Sequence, residues 1–227
     1  MEPLETARAL VAWTPFLAGG FVWNIVISLT AMAIGTALGS VLAVMRTAAR
    51  PVLVRASLAL TAFTRNVPTF VVLFYLAFVI PVEFEIDNIV YPFPAWVKAS
   101  IALAIAVVGF VSDNLSTAIR AWRGGNRGAA LLFIPGWTSY FVIIVMASST
   151  ASVIGVGEIV SRCNTVIGAT GRNGLMLWVY LYAMTWFFLF CFPLNLLMAR
   201  ARRRLQTRIA SPVKATDVAA AKATDTD

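Results

Sequence analysis

F-V-W-N-I-V-I-S-L-T-A-M-A-I-G-T-A-L-G-S-V-L-A-V-M-R, residues Phe21–Arg46, carries no charge until its last residue. At about 1.5 Å of rise per helical residue, a run of this length crosses roughly 30 Å of hydrocarbon. It lacks the period-two alternation of an outer-membrane strand. Four similar stretches follow, over about Ala56–Pro81, Trp96–Ile119, Ala129–Val153 and Leu175–Ala199. Of the 227 residues, 60% are hydrophobic and 12% charged. Soluble domains hold about 25% charged and about 45–50% apolar residues. The chain therefore reads as an integral membrane protein, all-α, with five transmembrane helices. A soluble enzyme, a disordered chain and a disulfide scaffold are excluded.

The second stretch is interrupted by Arg65, Asn66 and Pro68. If that span opens only at Pro68, it is short, and Pro51–Thr64 lies along the membrane surface as an elbow. Proline suits a helix start. Arg65 then sits at the membrane interface, because at mid-bilayer it costs about 2.5–3.5 kcal/mol on insertion scales. The basic residues set the orientation. Arg46, Arg50, Arg55 and Arg65 follow span one, Arg120, Arg123 and Arg127 follow span three, and Arg200, Arg202, Arg203, Arg204 and Arg208 follow span five. Glu83, Glu85 and Asp87 fall on the opposite side. Positive loops face the cytoplasm, so the N terminus is outside and the C terminus inside. The net charge of +8 follows from this bias and from contact with anionic lipid, and calls for no nucleic acid. Residues 1–20 read as an external segment, with a short interfacial helix over Leu4–Phe16 that Pro15 breaks. Residues 21–205 form the five-span domain, and 206–227 a disordered cytoplasmic tail.

Four places carry a resemblance. They are T-P-F-L-A-G-G-F-V-W-N-I-V-I-S-L (Thr14–Leu29), R-N-V-P (Arg65–Pro68), G-F-V-S-D-N-L-S-T-A-I-R (Gly109–Arg120) and S-S-T-A-S-V-I-G-V-G-E (Ser148–Glu158). In order and spacing they resemble the membrane-spanning permease subunits of polar amino-acid ABC importers, over roughly residues 12–205. The resemblance implies an importer of polar amino acids or related derivatives in the bacterial cytoplasmic (inner) membrane. Its implied partners are an ATPase subunit, an external solute-binding protein and a second permease chain, identical or paralogous. The family places an E-A-A helix between spans three and four, which docks on the ATPase. Here that interval is A-W-R-G-G-N-R-G, Ala121–Gly128, without E-A-A and with three glycines that are poor helix formers. No full cytoplasmic helix is expected over residues 119–130, though a substitute over Asn114–Arg123 is open. The alternative reading is therefore a degenerate permease-like scaffold that no longer couples to an ATPase.

Several polar residues stand out on the spans. Asn24 and Ser28 share one face, one turn apart, and Gly35 and Gly39 repeat that spacing. Such small and polar residues serve close helix packing or substrate contact. Ser148, Ser149, Thr150 and Ser152 serve packing or line a polar path, with donors and acceptors for a zwitterion. Arg65, Asn66 and Pro68 open the second span. Asp113 is the one acid inside a span, two turns from Arg120. It reads as an interfacial carboxylate paired with an arginine, as a partner contact, or as a pathway residue. Glu158 opens an external loop, as a solvated charge or a contact for the solute-binding protein. Arg120, Arg123 and Arg127 either express the positive-inside bias or meet the ATPase. The chain has no histidine, and Cys163 and Cys191 have no metal-site spacing. There is no P-loop G-x-x-x-x-G-K-[ST], so ATP chemistry belongs to another subunit. No catalytic residue, metal or cofactor is expected.

Overall fold

A computed structural model describes residues 3–224 apart from Asn88 and Arg172. The helices are α1 (Pro3–Arg46), α2 (Pro51–Asn66), α3 (Thr69–Val79), α4 (Ala95–Arg123), α5 (Arg127–Leu131), α6 (Phe133–Ala147), α7 (Ile159–Thr170) and α8 (Met176–Thr224). A two-stranded antiparallel hairpin, β1 (Glu83–Ile86) and β2 (Ile89–Pro92), joins α3 to α4. Among the described residues, four segments are long and apolar enough to cross a membrane: Ala7–Arg46, Ala95–Arg123, Arg127–Ile154 and Met176–Thr207. The pair α2 and α3 adds a fifth if its two helices, bent by 87°, count as one broken span.

Packing is organised by α1 against α4. Gly35 and Gly39 let the two backbones approach. A methyl on Gly35 would strike the Val107 side chain and come within 2.8 Å of the Ala104 carbonyl. One on Gly39 would meet the Val111 Cβ at 2.7 Å and the Val108 carbonyl at 2.9 Å. The contact face anticipated from this glycine spacing thus forms, with α4 as its partner. Ile27, Met32, Val107, Val142 and Val145 fill the core around it. A second cluster gathers Leu17, Phe21, Ile159, Val166 and Val179, joining α1, α7 and α8. Away from these seams the helices expose Val41, Phe63, Phe78, Met184 and Leu189, as lipid-facing or partner-facing surfaces do.

Pro15 does not end a helix, contrary to the sequence expectation, since α1 runs through it. A proline inside a helix loses a backbone bond. Next to it, the Thr14 hydroxyl donates to the Leu10 carbonyl within α1 and lies 3.0 Å from the Tyr182 hydroxyl on α8. Residues 3–20 therefore belong to α1. At the other end, α8 continues to Thr224, through most of the stretch expected as a disordered tail. Residues 225–227 of that stretch lie outside the described residues, as do the side chains from 208 onward.

The second stretch folds as two helices bent by 87° at the break over Arg65–Pro68. α2 turns hydroxyls, not apolar residues, toward the protein. Ser57 donates to the Leu42 carbonyl at 2.7 Å, and Thr61 and Ser112 share a hydrogen bond of 2.7 Å. Val52, Leu58, Leu60 and Phe63 face outward. These contacts draw α2 from the end of α1 toward the middle of α4. α3 takes over at Pro68 and reaches the start of α4, where the buried Lys98 ammonium donates to the Ala77 and Ile80 carbonyls. A cation on the free carbonyls of a helix end is favourable. At 11 residues, α3 spans only about 16 Å, so it cannot cross the bilayer alone.

Between α4 and α6 the chain makes a short turn. α4 ends at Arg123, Gly125 is left-handed at φ 81°, and the Asn126 side chain accepts from Ala129 N to cap the five-residue α5. Asn114–Arg123 is the uninterrupted end of α4, not a separate substitute helix.

Replacing Gly35 with valine is expected to lower stability by about 1–3 kcal/mol, the usual cost of overpacking a filled contact. Gly136→Ala, where an added methyl meets nothing within 4 Å, is the control and should not lower the melting midpoint. Thermal melts of the detergent-purified variants check both.

Candidate functional site

At the break in the second stretch three charged side chains meet. Asp113 lies between two arginines from different helices. Arg46, at the end of α1, donates to one carboxylate oxygen, and Arg65, at the end of α2, donates to the other. Arg46 is 8% exposed, Asp113 27% and Arg65 63%. Three helices are thereby tied at one carboxylate. Asp113 is arginine-paired, as one sequence reading has it, but its partners are not the nearby Arg120, which reaches Ser116 at 3.4 Å. Arg46 Nε is buried without a hydrogen-bond partner.

Arg65 stands beside Gly109, midway along α4. Its stem fills the space left by Gly109, where an added Cβ would meet Arg65 Cγ at 2.7 Å. Asn66 donates to the Ala62 carbonyl and closes α2, while the Pro68 carbonyl accepts from Val71 and Val72 to open α3. The Arg65–Pro68 stretch borders a cavity of about 470 Å³, whose far wall is Phe110, Asp113, Asn114, Thr117 and Tyr140. The Phe110 and Tyr140 rings stack at 3.9 Å, and the Tyr140 hydroxyl donates to the Ala106 carbonyl.

A second polar node lies at the middle of α1. The Asn24 side-chain amide donates to Ser148 Oγ and Glu158 Oε2, both at 2.9 Å, and its oxygen accepts from Ile159 N. Glu158 Oε1 accepts from Ser161 N and so caps α7. Ser28 donates to the Asn24 carbonyl. Asn24, Ser28, Ser148 and Glu158 are all fully buried. Burial pushes the Glu158 carboxyl above its ordinary range, with Asn24 and the α7 amides pulling the other way. Glu158 is thus neither a solvated charge nor an exposed contact. Beside it, Arg162 donates to the Phe16 carbonyl at 2.6 Å through the gap left by Gly19.

The structure brings Asn24, Ser28 and Ser148 together in this closed node. Ser149, Thr150 and Ser152 sit on the following 3-10 turn (Ser148–Ile154), with hydroxyls donating back to Met146, Ala147 and Ser149 carbonyls. Those hydroxyls offer other groups only acceptor lone pairs. Of the six, Ser149 borders an apolar cavity of about 300 Å³ with Tyr180 and Phe187. Arg120, Arg123 and Arg127 cluster near the α4–α5 turn. Arg123 donates to the Thr47 carbonyl, and the Arg127 guanidinium lies 5.4 Å from the Trp122 ring centre.

No protein-family model matches the chain, and no curated protein matches it in sequence. In structure it is similar to a chain from the crystal structure of an amino acid ABC transporter with histidines, with a TM-score of 0.68 and 18% identity. The match covers 87% of this chain and 97% of that one. The two share a fold.

Asp113→Ala leaves the buried Arg46 charge unpaired and should cost about 3–5 kcal/mol, the range for breaking a buried ion pair from one side. Arg65→Gln removes the exposed partner and should cost about 1 kcal/mol or less. Asn24→Ala strands Glu158 and Ile159 N and should cost about 1–3 kcal/mol. Equilibrium unfolding in mixed micelles ranks the three; equal losses for Asp113→Ala and Arg65→Gln would contradict the division of roles at the carboxylate.

Proposed function

We propose that the chain is the membrane-spanning permease subunit of an ABC importer for polar amino acids or related derivatives. It supplies half of the translocation pathway. The observation that carries this reading is the shared fold with a chain of an amino acid ABC transporter over nearly the full length of both. The motif order at Thr14–Leu29, Arg65–Pro68, Gly109–Arg120 and Ser148–Glu158 agrees with it. In this reading α1, the broken pair α2–α3, α4, α6 and α8 are five spans. The N terminus is outside, and the arginine-bearing turns lie in the cytoplasm of a bacterium.

Five spans enclose too little to form a lined path, so a second permease chain, identical or paralogous, faces this one. An external solute-binding protein delivers the amino acid, and a separate ATPase subunit binds and hydrolyses ATP. Alternating access follows from two global states that ATP and the loaded binding protein both bias. Ser149, Thr150 and Ser152 lie where such a path meets the outer side, steadied by the Asn24–Ser148–Glu158 node. Arg120, Arg123 and Arg127 are the groups placed to meet the ATPase. The chain itself catalyses no reaction.

One observation favours a second reading. The connection from α4 to α6 offers a tight turn and a five-residue helix where the family's importers dock a helix on the ATPase. A chain that kept the fold without that lever is a membrane scaffold. Co-expression with an ATPase and binding protein from the same gene cluster separates the two. Transport predicts a stable complex whose ATPase rate rises several-fold with loaded binding protein. A folded chain that recruits no ATPase supports the scaffold.

A further inference from the structure

The ion-pair cluster at the α2–α3 break is out of balance in charge, and of its three members Arg65 and Asp113 border the cavity. Arg46 and Arg65 face the single carboxylate of Asp113, and each of its oxygens is already taken by one arginine. Among the described residues no other acidic side chain borders the cavity. A guanidinium carries five N–H donors. The one recorded bond of Arg65 goes to Asp113, so most of its donors have no protein partner among the described residues. Its side chain is 63% exposed in the isolated chain.

Position makes this exposure costly. Gly109 and Ala106, against which Arg65 and the cavity lie, are midway along α4, a helix that qualifies as a membrane span. An arginine at that depth must face water, protein or an anion. Irregular backbone at membrane depth likewise persists only inside protein or beside a cavity that holds water. The space of about 470 Å³ meets that condition and lies in the ordinary range of small-molecule sites. Thr64, Thr69, Asn114 and Thr117 add polar groups to its wall. The Phe110–Tyr140 stack gives a flat apolar side. The positive end of the α3 dipole adds to the field without itself making the site.

We propose that this cavity binds a single oxyanion group, a carboxylate or a phosphate, on the guanidinium of Arg65. Asp113 holds that guanidinium in place and cancels one of the two positive charges, leaving one to be met by the ligand. The site takes one such group and not a cation. The carboxylate would come from a free amino acid, the phosphate from a lipid headgroup. The inference rests on α4 crossing the membrane. It does not rest on ATP coupling, since binding is read on the purified chain alone.

The test is ligand stabilisation of the full chain in detergent. One arm titrates single L-amino acids, each beside its methyl ester, which lacks the carboxylate. The other titrates dihexanoyl phosphatidylglycerol beside dihexanoylglycerol, which lacks the phosphate. A ligand that binds the folded chain alone raises its melting midpoint with concentration. At least one oxyanion ligand should do so, while its oxyanion-free counterpart does not. Arg65→Gln should weaken the apparent affinity at least tenfold. Thr117→Leu, which fills the cavity without touching the ion pairs, should do the same while the ligand-free midpoint holds, so the test stands even if Arg65→Gln misfolds. A shift from the amino acids assigns the carboxylate source, and one from the phospholipid the headgroup. No shift in either arm, or an undiminished shift in Thr117→Leu, overturns the proposal.

Discussion

A single carboxylate between two guanidiniums organises the middle of this protein. Asp113 joins the end of α1, the end of α2 and the body of α4, and those connections hold the broken stretch against the long helices. The arrangement has a physical logic. Arg46 is buried, so it needs an anion; Arg65, more exposed beside the cavity, shares the same one. One aspartate serves both and leaves a surplus positive charge beside a polar cavity. Water is scarce around such a group in a bilayer, so a lone charge there would be far more costly than the pair.

The rest of the packing makes that junction possible. Gly35 and Gly39 bring α1 and α4 close enough for Arg46 to reach Asp113, and Gly109 makes room for the Arg65 stem. Ser57 and Thr61 fix the tilt of α2 by hydrogen bonds to Leu42 and Ser112. At the middle of α1, Asn24 and Glu158 do for α1, α7 and the Ser148 turn what Asp113 does for α1, α2 and α4. Polar groups placed at helix contacts are the cross-links, while the apolar faces are turned to lipid or to a partner chain.

Much of this was legible in the sequence, and the remainder was hidden for definable reasons. Uninterrupted apolar length exposes a span whatever it packs against, so the four long apolar segments could be read directly. Arg65, Asn66 and Pro68 marked the break because charge and a missing N–H both interrupt a helix. The path of α2 was not legible, because Ser57, Thr61 and Arg65 look like the wet face of a surface helix until Ser112 and Gly109 are seen beneath them. Arg46 read as a routine inner-leaflet charge, since its partner lies 67 positions away. Glu158 read as a loop acid, its partner Asn24 being 134 positions distant. In both cases the side chain's role is set by a group with no local trace. Pro15 deceived in the other direction, since α1 runs on through it where local propensity would end a helix.

The depth and wetness of the break test this account most directly. A nitroxide on a cysteine replacing Val67, in a chain whose Cys163 and Cys191 are changed to alanine, is compared in bilayers with one replacing Leu38, an exposed apolar residue of α1. The Val67 label should collide readily with a water-soluble nickel chelate, while the Leu38 label collides with oxygen and not with the chelate. If the Val67 label proves as closed to the chelate as the Leu38 label, no polar cavity opens at mid-span and the account is contradicted.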